Sequence, residues 1–171
     1  MTPMRRVLVL GPCGAGKSTF ARRLGDATGL PVVYLDQEFW KPGWVMTPRA
    51  VWEQRVRELA AGDRWVMDGN YDSTLHLRTP RADTIVYLDF PRRLFMARIF
   101  RRIAADHGRT RVDMAPGCPE RLNLEFFRFA WNFNRDVRPA VLDTIARLAP
   151  RSELLVFTHP AAAETWLTKI R

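Results

Sequence analysis

The chain has 171 residues, 47% of them hydrophobic, and a formal charge of +9. This size and composition suit one folded domain and exclude a disordered or low-complexity chain. No apolar run approaches the ~18 residues of a membrane span, and the short apolar stretch before Gly11 lacks the length and cleavage site of a signal peptide, so a cytoplasmic protein is expected.

Residues 5–10 form a short apolar run closed by Gly11 and read as a buried strand. Residues 17–28 read as a helix with Phe20, Ala21, Leu24 and Ala27 on one face, stopped by Gly29 and Pro31. A second strand follows at 32–35. Residues 36–47 are aromatic and read as irregular. Thr47-Pro48 opens a helix as N-cap and first-turn proline, and Gly62 closes it. Residues 65–67 form a third strand ending at Asp68-Gly69, and 84–88 a fourth ending at Asp89. Pro91 starts a helix carrying Leu94, Phe95, Ile99 and Ile103; 106–119 reads as a mobile loop. A long helical stretch over 120–148 is expected to kink or divide at Pro139. A fifth strand at 154–157 and a helix from Pro160 complete the chain.

Strands alternating with helices imply an α/β fold, a parallel sheet covered on both faces, with ligands bound at the C-terminal strand ends. Those ends carry Gly11, Asp36, Asp68, Asp89 and Thr158, and the three carboxylates are expected to share a pocket, Asp89 reading best as a turn residue.

The loop Gly11-Pro12-Cys13-Gly14-Ala15-Gly16-Lys17-Ser18 matches G-x-x-x-x-G-K-[ST] between a predicted strand and a predicted helix. Its glycines let N–H groups turn toward phosphate oxygens, and the helix N-terminus favours an anion. In such a loop Lys17 reaches the β- and γ-phosphates, Ser18 offers its hydroxyl to Mg²⁺ and Thr19 reaches the α-phosphate; ATP with Mg²⁺ is the expected ligand. Asp68 is the expected second Mg²⁺ contact, and Asp36 the candidate to orient or deprotonate an acceptor hydroxyl. Both also have a plain reading as turn or cap residues.

The cationic residues are almost all arginine, since Lys17, Lys41 and Lys169 are the only lysines. Their spread along the chain favours an anionic substrate site over a nucleic-acid surface, which stays the second reading. Arg98, Arg101 and Arg102 on the helix, with Arg109 and Arg111 in the loop, are expected to reach a transferring phosphate if that loop closes; Arg101 and Arg102 are the leading pair. Trp40, Trp44 and Tyr71 are expected to wall an acceptor pocket by stacking. Cys13 and Cys118 form no CxxC pair, so neither zinc nor a disulfide is indicated; a redox switch at Cys13 competes with a small side chain tolerated in a loop.

The phosphate loop with Gly-Lys-Ser-Thr, Gly29-Leu30-Pro31 and Leu88-Asp89-Phe90-Pro91 resemble the adenylate-kinase-like P-loop kinases. The segments Leu35-Asp36 through Trp44, Asp68-Gly69-Asn70-Tyr71 and Pro116 through Arg121 resemble one branch, usually labelled DNA topology modulation or FlaR-related. The resemblance implies a three-layer α/β/α fold of the nucleoside-monophosphate-kinase type with a five-stranded parallel sheet of order 2-3-1-4-5. It also implies a single domain over 1–171, with an acceptor-binding insertion about 36–64 and a lid about 101–120. The chain departs from adenylate kinases, which carry Asp-Gly-Phe-Pro-Arg after the third strand, so Arg78 or Arg81 is expected to stand in for the missing arginine. It also departs from shikimate kinases, with Glu38 where a second aspartate stands. The expected function is ATP-dependent phosphoryl transfer to a small-molecule or nucleotide acceptor lying among Asp36, Trp40, Trp44, Asn70, Tyr71 and Arg78. The alternative is a nucleotide-binding regulator that contacts nucleic acid.

Overall fold

The computed structural model describes residues 4–170. Its elements run β1 (Arg6–Leu10), α1 (Lys17–Thr28), β2 (Val32–Tyr34), α2 (Leu35–Phe39), β3 (Trp40–Lys41), β4 (Val45–Met46), α3 (Arg49–Ala61) and β5 (Trp65–Asp68). They continue with α4 (Asp72–Arg78), a 3₁₀ turn (Thr79–Arg81), β6 (Thr84–Leu88), α5 (Arg92–Asp106), α6 (Leu124–Asp136), α7 (Arg138–Leu148), β7 (Glu153–Phe157) and α8 (Pro160–Thr168).

Five strands pair side by side as β2-β5-β1-β6-β7, every pair parallel. Counted among themselves in chain order, they stand 2-3-1-4-5. Period-2 alternation divides the central strands between two cores. Val7, Val9, Val66 and Val86 face one side, covered by Phe20 and Leu24 of α1 and Leu167 of α8. Leu8, Leu10, Met67, Ile85 and Tyr87 face the other, covered by Leu75, Phe133, Val141 and Ile145. The three-layer α/β/α arrangement follows, and all five strands end at the same edge. Among the described residues no helix is long and apolar enough to cross a membrane.

Three segments differ from the local reading. Residues 36–47 are regular: α2 leads into the antiparallel hairpin β3–β4, with Trp40 opposite Met46 and Gly43 at φ 81° in its tip. The 120–148 stretch is two helices. Asn123 caps α6 by accepting hydrogen bonds from the Glu125 and Phe126 N–H groups at 2.9 and 3.2 Å, and Pro139 sits in the first turn of α7, where its missing N–H costs nothing. The 106–119 loop is folded rather than loose: Met114, Ala115 and Cys118 are buried against Trp40 and Trp44.

Candidate active site

The 11–18 loop leaves β1 at the C-terminal edge of the sheet and enters α1. Two glycines are required by close approach. At Gly11 (φ 136°) a Cβ would lie 2.6 Å from the Leu88 carbonyl oxygen, and at Gly14 (φ 77°) 2.5 Å from that of Phe95. The loop is thereby seated on β6 and α5. Lys17 Nζ folds back across it and donates to Pro12 O at 3.0 Å. No side chain caps α1, so its first-turn N–H groups stay available to an anion beside the positive end of the helix.

Asp68, at the end of β5, is 6% exposed, and burial pushes its carboxyl up to about 6, against the opposing pull of Lys17 and the Ser18 hydroxyl. Its Oδ1 is buried without a hydrogen-bond partner. An orphaned carboxylate oxygen beside a serine hydroxyl is a hard-oxygen donor pair of the kind Mg²⁺ accepts, and the residues present fit that ion. No group of three His, Cys, Asp or Glu that would cage a metal occurs among the described residues, so other ligands would come from phosphate and water.

Asp36, in α2, is near enough to Asp68 for its charge to add to the upward push on the Asp68 carboxyl. The Tyr71 hydroxyl donates to Asp36 Oδ1 at 2.6 Å, and Oδ2 accepts no hydrogen bond among the described residues. Burial and the neighbouring Asp36 charge raise the Tyr71 phenol far above its ordinary range, so it remains a donor. Tyr71 is held at φ 41°, a strained setting for a side-chain-bearing residue, by ring contacts to Phe39 and Trp52 at 4.9 and 5.0 Å.

Several expected site residues have other partners. Asn70, expected at the acceptor, is engaged with the phosphate loop: its Nδ2 donates to Gly11 O at 2.8 Å and its Oδ1 accepts from the Gly11 N–H at 3.0 Å, which uses both ends of the amide. Arg78 is 0% exposed and donates to Gly69 O at 2.7 Å and Tyr71 O at 3.4 Å, so it supports the β5–α4 turn from beneath. Arg81 caps the end of α3, donating to Ala60 O and Ala61 O. Trp40 and Trp44 pack edge to face at 5.3 Å and form the seat of the 114–118 segment, with Trp44 Nε1 donating to Pro119 O at 3.0 Å. Asp89 leaves the shared pocket, taking a two-point contact from Arg138 at 2.9 and 2.7 Å.

The arginines sort by helix face. Arg98 donates to Ala15 O at 2.9 Å, and Arg102 one turn later contacts Glu120 at 3.1 Å. Arg101 lies on the exposed face of α5 and makes no ion pair among the described residues. Arg111 reaches the same Glu120 at 3.5 Å and Asp113 at 3.2 Å. Of the pair Arg101 and Arg102 read from the sequence, Arg102 shares a helix face with Arg98 and meets Arg111 at Glu120, whereas Arg101 points away from both. The i, i+4 spacing of Arg98 and Arg102 is the signal that places them on one face. Burial raises the Cys13 thiol above its usual value, so it remains the unreactive thiol, which counts against a redox switch.

A cleft of about 550 Å³ opens between α2 and the 110–117 segment, lined by Gln37, Arg111, Val112 and Met114 among others. Gln37 Nε2 donates to Val112 O across it.

No protein-family model matches the sequence, and no curated protein matches it. Solved structures do. Shikimate kinase from Acinetobacter baumannii in complex with shikimate is 18% identical over 98% of this chain and 90% of its own, at a TM-score of 0.66. A gluconokinase from Sinorhizobium meliloti is 18% identical over 99% and 95%, at 0.54. A sugar kinase from a Janibacter species is 19% identical over 98% and 92%, at 0.51. The chain has the P-loop kinase fold. At these identities the likeness establishes architecture, and the chemistry is argued from this chain's own residues.

Proposed function

We propose that the protein is an ATP-dependent kinase that transfers the γ-phosphoryl group to a hydroxyl of a small-molecule acceptor. One observation carries the reading: the Asp36 carboxylate, with one oxygen held by Tyr71, is near enough to the 11–18 loop for its charge to act on Cys13, and the orphaned Asp68 oxygen lies beside Ser18. A donor half and an acceptor half thus meet at one edge of the sheet.

In this reading Gly11, Pro12, Cys13, Gly14, Ala15, Gly16, Lys17, Ser18 and Thr19 hold the triphosphate through backbone N–H groups and the Lys17 charge. Ser18 and Asp68 hold Mg²⁺, which when bound neutralises charge on the phosphate oxygens. Asp36 Oδ2 accepts the acceptor's hydroxyl proton while Tyr71 donates to Oδ1 and keeps the carboxylate aimed. The acceptor oxygen bonds to the γ-phosphorus, the bond to the β-phosphate bridging oxygen breaks, and ADP departs. Arg98, Arg102 and Arg111 surround the transferring group, and the segment about 101–120 acts as a lid on the hairpin of the 36–64 insertion.

The neighbours named as shikimate kinase, gluconokinase and sugar kinase act on small hydroxyl-bearing molecules, which supports a small-molecule acceptor over a nucleic acid. The finer placement in the FlaR-related branch rests on the sequence segments Leu35–Trp44, Asp68–Tyr71 and Pro116–Arg121. The test is ADP release from Mg²⁺-ATP in the presence of nucleosides, nucleoside monophosphates, sugars and sugar acids. Acceptor-dependent turnover abolished by Lys17→Ala is expected. Absence of stimulation by every acceptor, together with DNA binding of steep salt dependence, would replace this reading with the nucleic-acid one.

A further inference from the structure

We propose that Glu120 is a positioning residue for phosphoryl transfer, its carboxylate holding Arg102 and Arg111 together beside the phosphate loop. The inference rests on the kinase reading above.

Glu120 is 7% exposed, and its two oxygens are divided between two arginines from different elements. Oε1 lies 3.1 Å from Arg102 Nη2 of α5, and Oε2 lies 3.5 Å from Arg111 Nη1 of the following loop. Two guanidinium groups this close repel each other strongly in a partly buried setting unless an anion separates them. The position of that anion is set by main chain. Gly108 N–H donates to Glu120 O at 2.9 Å, and Glu120 N–H donates to Arg109 O at 2.8 Å, closing the base of the 107–120 segment. Each arginine is braced from a second side, Arg102 by the Phe126 ring at 5.7 Å and Arg111 by Asp113.

Neither arginine is exhausted by these contacts. The Nε–H of Arg102 is buried without a hydrogen-bond partner, a costly state that an incoming anion relieves, whereas Arg111 Nε faces Asp113 Oδ1 at 3.2 Å as an ion pair that lacks hydrogen-bond geometry. Their place beside the phosphate loop is set by α5 and α6: Arg98, one turn before Arg102, donates to Ala15 O of that loop at 2.9 Å, and the Phe126 ring that braces Arg102 belongs to the cluster against which Cys13 packs. Glu120 does not touch the reacting atoms in this arrangement. It fixes two forks that can meet a phosphoryl group as its charge spreads, so its effect belongs to the transition state rather than to ground-state binding.

The test compares two ligands by calorimetry in the presence of Mg²⁺: ADP alone, and ADP with aluminium fluoride as a mimic of the transferring phosphoryl group. The wild-type protein is expected to bind the fluoride complex more tightly than ADP. Glu120→Gln is expected to erase at least about tenfold of that preference, with ADP affinity changed by less than about twofold. Glu120→Asp, which keeps the charge, is expected to recover part of it. Adding Glu120→Gln to an Arg102→Gln/Arg111→Gln background is expected to have no further effect. An undiminished preference in Glu120→Gln overturns the proposal. So does an equal loss for both ligands in Glu120→Gln and Glu120→Asp, which marks a purely structural residue. If Glu120→Gln fails to fold, the ADP-to-fluoride ratio of Glu120→Asp decides, and a wild-type ratio there overturns the proposal. If the wild-type protein itself shows no preference, the kinase reading falls first and the role of Glu120 with it.

Discussion

The Asn70 side-chain amide and the Gly11 backbone amide exchange two hydrogen bonds, at 2.8 and 3.0 Å, across the gap between β5 and β1. The first residue of the phosphate loop is therefore fixed by the turn that also carries Tyr71, so the loop and the proposed acceptor wall share one clasp. Asn70→Ala removes both bonds at a partly buried site. An affinity loss for Mg²⁺-ATP of about 1–1.5 kcal/mol, roughly tenfold, is expected by calorimetry with the fold intact. Asn70→Asp should do worse, because a carboxylate oxygen would face the Gly11 carbonyl. Unchanged ATP affinity with a raised acceptor KM would return Asn70 to the acceptor site.

Asp68 gives the unliganded protein a pH signature. Its folded pKa of about 6 stands above the ordinary 3.8. A carboxyl held protonated by the fold contributes its full stabilisation below about pH 4, and loses it as pH rises through about 6. The shift corresponds to an upper limit of about 3 kcal/mol. Urea unfolding should find unliganded Asp68→Asn about 2 kcal/mol more stable than wild type at pH 8, with the difference closing toward pH 4. Mg²⁺-ATP should bind the wild type more weakly as pH falls below 6, since the ion needs the carboxylate. A stability difference independent of pH would contradict this account of the buried charge.

Arg78 is predicted to be a stability residue. Burial lowers its guanidinium to about 10, still cationic at neutral pH, while the Gly69 carbonyl depends on it at 2.7 Å. Arg78→Leu leaves the Gly69 carbonyl without its side-chain donor, while Tyr71 O keeps the Thr74 N–H and hydroxyl, and should cost about 2–3 kcal/mol in urea unfolding. A variant of unchanged stability that loses only acceptor affinity would show that the guanidinium reaches the cleft.

The hairpin and the proposed lid are joined at Gly117, whose carbonyl accepts from the Gly43 N–H at 2.8 Å. Gly117 has φ 76°, and a Cβ there would sit 2.9 Å from Pro42 Cβ and 3.2 Å from its Cα. Gly117→Ala should push the two segments apart at a cost of about 1–2 kcal/mol. Trypsin should then cut near Arg109, Arg111 and Arg121 about tenfold faster, and Trp40 and Trp44 emission should shift to the red. Equal cleavage rates in variant and wild type would mean that the two segments are not coupled.

The phosphate loop, the five sheet strands and most of the helices flanking them, though not α4, were legible because each is encoded by neighbouring residues. Gly11, Gly14, Gly16, Lys17 and Ser18 lie within eight positions, and β1, β5 and β6 are contiguous apolar runs bounded by turn residues. What local pattern could not reveal is which polar groups find each other across the chain. The Gly11–Asn70 clasp spans 59 residues and the Trp44–Pro119 bond 75, and nothing near Asn70 or Trp44 announces either partner. The same holds for Arg78, expected from the sequence to stand in for an acceptor-binding arginine and found buried against the Gly69 and Tyr71 carbonyls. Local sequence determines where a triphosphate can sit, because glycine conformation and helix polarity act over a few residues. Tertiary packing alone decides which arginines attend it, which aromatic rings are spoken for, and that Glu120 stands between two of those arginines, because burial and pairing are properties of the assembled chain.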